Sequence, residues 1–183
     1  MSKVPVSLEE GCEVLGPYFL KGISDVVLQA TELGFNPKDR LEKIAIRNNI
    51  HLRWGDEFCR IFAPQDVVNR INSVSLKCFV SFQALTDKQV FDAFFIGPGS
   101  LTESQFYAIV EICLNNKPVY PDRGLRVCYV ENQDCLSTVF IQHGSDARGA
   151  YVEVGAMTFS DRYLWEQRAL FLVPAMTDLS TAF

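Results

Sequence analysis

A chain of 183 residues with 48% hydrophobic and 21% charged residues has the composition of one folded domain, which excludes wholesale disorder. Its net charge of −5 argues against a broad nucleic-acid or anionic-membrane surface, which needs clustered Lys and Arg. Aromatic residues reach 12%, with 14 Phe, so the rings fill a large core or build an association surface.

The opening stretch Met1–Glu10 has one Lys and no apolar run, so no secretory signal is expected. Apolar stretches such as 90–96 fall far short of the ~20 residues of a membrane span. Six cysteines (Cys12, Cys59, Cys78, Cys113, Cys128, Cys135) are scattered without a C-x-x-C pair. They read as reduced, mostly buried thiols in a cytoplasmic setting. With no repeat and no linker, residues 1–175 are expected to form a single α+β domain, and 176–183 a loose C-terminal tail.

In chain order, the first third reads as helical. Ser24 caps a predicted helix with Ile23, Val26, Val27, Ala30 and Leu33 on one face, stopped by Gly34. Asn36-Pro37 reads as an N-cap followed by proline at the first helical position, with Leu41, Ile44 and Ala45 inward. A third helix is predicted from Pro64, turning Val67, Val68, Ile71 and Val74 inward. Strand patterns follow: 76–82 alternates with Leu76, Cys78, Val80 and Phe82 on one face, and 91–96 is apolar on both faces. After Gly97-Pro-Gly-Ser100, the pair Ser100 and Glu103 matches a capping box opening a helix to Asn116. Its inner face is Phe106, Ile109, Val110, Cys113 and Leu114, and Lys117–Tyr120 closes a predicted central β-α-β unit over 91–121. The last third reads as an antiparallel meander: strands 125–131 and 137–142, a turn cluster 143–149, and a strand 151–157. A short helix from Asp161 to Glu166 and a strand 170–173 complete it.

Two segments carry the candidate functional residues. The first is Gly97, Gly99, Ser100, Thr102 and Glu103. A strand running into a glycine loop and a capped helix is the geometry that binds anions, through free backbone N–H groups and the helix dipole. A nucleotide or sugar phosphate is the ligand class, with Arg123 or Arg126 as converging cations; the alternative is a plain tight turn. The order Asp92-Ala-Phe-Phe, Gly97-Pro-Gly, Thr102-Glu103 and Lys117-Pro-Val119 resembles the loop of the cytokinin-riboside phosphoribohydrolase (lysine decarboxylase-like) family. In that family a strand ending in P-G-G-x-G-T leads into a helix carrying a glutamate, and a K-P-V strand follows. The resemblance implies a nucleotide ligand. It lacks the double glycine, places the glutamate directly after the threonine, and has no matching first strand with its own glycine loop.

The second segment is Arg53-Trp54, with Trp165 near the end repeating its chemistry; Trp and Arg are the residues enriched at interface hot spots. The alternative is that both tryptophans pack on the core with their N–H groups satisfied. Other constellations are weaker. A Cys–His nucleophile has only His51 or His143 as base, Cys78 and Cys113 read as core, and Cys135 beside its turn is the thiol expected at the surface. There is no G-x-S-x-G, and His143, Ser145 and Asp146 share one turn. No spacing supports a metal, no cofactor is implied, and Asp56, Glu57, Glu131 and Glu153 read as surface charges. The expectation is therefore a protein-binding or self-associating protein, a homo-oligomer or partner of another protein, working through an aromatic-rich surface without nucleic acid or membrane. A small phosphate-ligand enzyme or sensor at Gly97–Glu103 is the alternative.

Overall fold

The computed structural model describes residues 13–15, 19–21, 26–28, 34–64, 74–94, 100–115, 124–132 and 135–174, the first three segments as backbone. The architecture is α+β: helices packed on a mixed sheet, as predicted. In chain order the strands are β1 (Glu13–Leu15), β2 (Phe19–Lys21), β3 (Val26–Leu28), β4 (His51–Trp54), β5 (Val74–Ser81), β6 (Leu85–Thr86), β7 (Leu101–Thr102), β8 (Arg126–Asn132), β9 (Cys135–Asp146), β10 (Gly149–Thr158), β11 (Leu164–Trp165) and β12 (Leu170–Pro174). The helices are α1 (Pro37–Arg47), α2 (Asp56–Phe62), α3 (Asp87–Phe94) and α4 (Glu103–Asn115). The main sheet runs β1-β2-β5-β12-β8-β9-β10-β4, with β3 also along β5 and β7 also along β8; β6 and β11 form a separate antiparallel ribbon.

Local signals decide several elements. Asn36 caps α1 by accepting the Asp39 N–H at 2.9 Å, and Pro37 opens it, as the sequence predicts. The inner faces of α1 and α4 are those expected: Leu41, Ile44, Ala45, and Phe106, Ile109, Val110, Cys113, Leu114 are all buried. The capping box of α4, however, is Thr102–Gln105 and not Ser100–Glu103. The Thr102 N–H donates to Gln105 Oε1 at 2.9 Å and the Gln105 N–H to Thr102 Oγ1 at 3.3 Å. The helix starts two residues late because Leu101 and Thr102 are still extended, paired in parallel with Val130 and Glu131 of β8.

Three expectations are corrected. Residues 26–28 are strand, not helix: β2 and β3 both pair antiparallel with β5, and this pairing overrides the three-to-four spacing of Val26, Val27 and their neighbours. The doubly apolar 91–96 opens as helix, since α3 runs through Phe94. Its start is specified by a second T-x-x-Q box, the Thr86 N–H donating to Gln89 Oε1 at 2.9 Å, and Lys88 pairs with Asp92 one turn on. Asp161 opens no helix, because Leu164 and Trp165 pair with Thr86 and Leu85. Of the helix expected from Pro64, Val67, Val68 and Ile71 lie outside the described residues, and Val74 opens β5. A parallel crossover exists, but as β7-α4-β8, and residues 117–120 lie outside the described residues. The short helix α2 was not predicted, although Asp56 and Glu57 in its first turn and Phe58 and Phe62 four apart spell it out. The meander β8-β9-β10 is antiparallel as expected; β12 leaves it to lie between β5 and β8, parallel to β8.

Where β12 and β8 sit, the sheet is buried on both faces. Leu170, Leu172, Cys128 and Val130 face a first core under α1, α2 and α4. Phe171, Val173, Val127 and Tyr129 face a second core closed by α3 and the β6–β11 ribbon. Alternate residues therefore enter different cores, and this doubled demand absorbs the rings: Phe58, Phe62, Phe106, Phe79 and Phe171 are all buried. Two more rings lie across the β9–β10 ladder onto glycines directly opposite, Phe140 over Gly155 and Tyr151 over Gly144.

Candidate functional site

Beneath the β6–β11 ribbon lies a buried carboxylate. Asp87, the first residue of α3, is solvent-inaccessible and accepts four hydrogen bonds. Trp165 Nε1 donates to Oδ1 at 2.6 Å and Tyr129 Oη at 3.2 Å; Thr138 Oγ1 donates to Oδ2 at 3.0 Å and the Ser160 N–H at 2.9 Å. One side chain thus ties α3, β8, β9 and the segment 160–165 together, with every donor aimed at a negative charge. Burial, and then the neighbouring Asp87 charge, push the Tyr129 hydroxyl far above its ordinary pKa, so it stays a donor.

This carboxylate fixes the base of a small exposed pair. Trp165 is buried with its ring 4.8 Å from that of Tyr163, while Tyr163 and Leu164 themselves are 45% and 58% exposed. Among the described residues the only other large exposed hydrophobe is Ile46, on α1. Among the described residues, the large exposed hydrophobes beside Trp165 are therefore Tyr163 and Leu164. Sequence reasoning named Trp165 and missed both Asp87 and its exposed neighbours.

Of the residues expected to meet a partner, Trp165 presents no surface. Trp54 is half-buried, stacked on Phe58 at 5.6 Å and edge-on to Tyr107 at 6.4 Å; its indole N–H is shielded and has no acceptor among the described residues. Arg53 lies 3.9 Å over the Tyr151 ring and pairs with Asp146, clamping the β9–β10 turn to β4. There the Arg148 N–H donates to Asp146 Oδ1 at 2.8 Å, and Arg53 and this bond hold the Asp146 carboxyl below the usual carboxylate range.

At the proposed anion loop, Gly97 and Gly99 lie outside the described residues. The hydroxyls nearby are engaged: Ser100 Oγ donates to Glu131 Oε2 at 3.0 Å, Thr102 caps α4, and Glu103 accepts from Tyr107 Oη at 3.1 Å. Arg126 does not converge there. It opens β8, five residues or roughly 16 Å from the Glu131 end that Thr102 adjoins; Arg123 lies outside the described residues.

Cys78, Cys113 and Cys128 are buried, and burial raises the Cys113 and Cys128 thiols, leaving those two poor nucleophiles. Cys59 and Cys135 are free and exposed, and Cys12 lies outside the described residues. No group of three potential metal-ligating side chains occurs among the described residues, and no described helix is long and apolar enough to cross a membrane. His143 is held neutral down to a pKa of about 4, first by burial and then by the Arg126 charge. Because its unfolded value is 6.5, the unfolded chain binds the extra proton between the two values. Its contribution to stability is whole above about pH 6.5 and falls as the pH drops towards 4. Chemical denaturation at pH 4.5 and pH 7 checks this: H143Q should lose less stability on acidification than wild type, and an equal loss contradicts it.

Comparison with known protein families, with curated proteins and with solved structures found no match.

Proposed function

We propose that the chain works by binding another protein, a second copy of itself included, through the Tyr163–Leu164 pair. The observation that supports this reading is the contrast between the pair and its base. An aromatic and an aliphatic side chain stand exposed on a segment pinned from beneath by Trp165 and Asp87. A pinned segment loses little conformational entropy on association, and Tyr is among the residues that carry binding energy. Arg162, Glu166 and Arg168, all exposed on the same segment, supply a polar rim of both signs.

The experiment places a photoreactive phenylalanine at Tyr163 and, as a control, at exposed Gln142. A covalent protein adduct of defined mass at 163 and none at 142 is the expected result, and competition by the unlabelled chain then separates self-association from a different partner. No adduct at 163, or the same adducts at both positions, overturns the reading.

A further inference from the structure

The described ion pairs, Arg40–Glu111, Arg53–Asp146, Arg60–Glu57 and Lys88–Asp92, all lie at or near the surface. The most deeply buried cation among the described residues has no such partner there. Arg126 is 9% exposed, and its one hydrogen bond runs to the Gly124 carbonyl at a long 3.4 Å. In the sheet it sits between Leu170 of β12 and Ile141 of β9, both buried and apolar. On the same face, diagonally across the β8–β9 ladder, stands His143, whose Nε2 is shielded from solvent and has no partner among the described residues.

A guanidinium cannot shed its charge, and burying one without an anion is strongly unfavourable. A neighbouring imidazole with an idle nitrogen adds a second polar group lacking a partner. Two such groups on one face of the sheet describe a receptor short of its ligand.

We propose that Arg126 and His143 form a binding site for a small oxyanion, a carboxylate or a phosphate, on the first-core face of the sheet. The guanidinium fork takes two oxygens of the anion side by side, and His143 Nε2 contributes one further hydrogen bond. The flanking Leu170, Ile141 and Val152 exclude water and strengthen both contacts. This site is separate from Thr102, which pairs with Glu131 at the opposite end of β8.

Thermal unfolding of the full chain tests it, at constant ionic strength, with chloride replaced stepwise by inorganic phosphate or, separately, by succinate. Wild type should show a saturable rise in Tm, about 5 to 10 °C at a hundredfold excess over half-saturation. The probe that acts distinguishes a phosphate from a carboxylate ligand. Arg126→Met, which keeps an unbranched apolar stem, should match or exceed wild type in chloride alone and show no rise with either anion. Arg126→Lys, with charge but no fork, should respond more weakly than wild type. No rise in wild type with either probe overturns the proposal, as does an equal rise in Arg126→Met. So does an Arg126→Met variant that is unfolded or much less stable in chloride, the mark of a counter-ion supplied by the chain itself.

Discussion

Asp87→Ala should cost about 3–5 kcal/mol, a fifth or more of the roughly 5–15 kcal/mol that stabilises a typical domain. The substitution strands four donors at once: the Trp165 indole, the Tyr129 and Thr138 hydroxyls and the Ser160 backbone N–H. Each then bears the cost of a buried polar group without a partner, which exceeds the modest net gain of an ordinary hydrogen bond. Asp87→Asn should cost less, because its carbonyl oxygen still accepts, but its NH2 group is driven against two donors. Thr138→Val, which removes one donor and leaves the carboxylate three, should cost only about 1 kcal/mol. Urea denaturation orders the three variants. An alanine variant within 1 kcal/mol of wild type contradicts the role assigned to this carboxylate.

Gly155→Val should cost about 3 kcal/mol, near the top of the range for overpacking. A Cβ at Gly155 would lie 2.1 Å from Phe140 Cζ and 2.6 Å from both Cε atoms, so the far end of the ring occupies the place a side chain would take. Phe140 cannot swing aside cheaply, since its ring packs against Trp165 at 6.1 Å and borders the second core. Combining the change with Phe140→Ala removes the clash, so the double variant should be less destabilised than the two single changes added together, by at least about 1 kcal/mol. Strict additivity in thermal or urea unfolding contradicts the clash. Gly144→Ala is the internal comparison: its Cβ also meets a ring, at 2.3 Å from Tyr151 Cζ, but that ring is only half-buried and can yield.

The sequence was legible where the determining contacts are short in range. Asn36 finds its partner three residues on, β8 and β9 are joined by a short connector, and the α4 face follows a helical period that tertiary contacts do not oppose. Residues 26–28 misled because β-branched Val26-Val27 suits both a helical face and a strand, and only β5, nearly fifty residues later in the chain, decides. Residues 91–94 misled for the opposite reason: with two phenylalanines opening an apolar run, they read as a covered strand, while the Thr86–Gln89 box upstream carried the helix signal. The second core was invisible altogether. Asp87 receives its donors from residues 42 to 78 positions away, and no local pattern marks one aspartate among the surface acids as the one that is buried. The same long-range geometry turned Trp165 inward and left Tyr163 and Leu164 outside.

The claim on which the rest depends is that the Asp87 carboxylate pins the segment 160–165 by gripping Trp165. Amide and indole hydrogen exchange, read by NMR, tests it most directly. The Trp165 indole proton should exchange only through global unfolding, at a rate that tracks overall stability, and lose that protection in Asp87→Ala, which removes its acceptor. An indole proton that exchanges rapidly in the native wild-type protein, with the rest of the sheet still protected, would show that the grip does not exist.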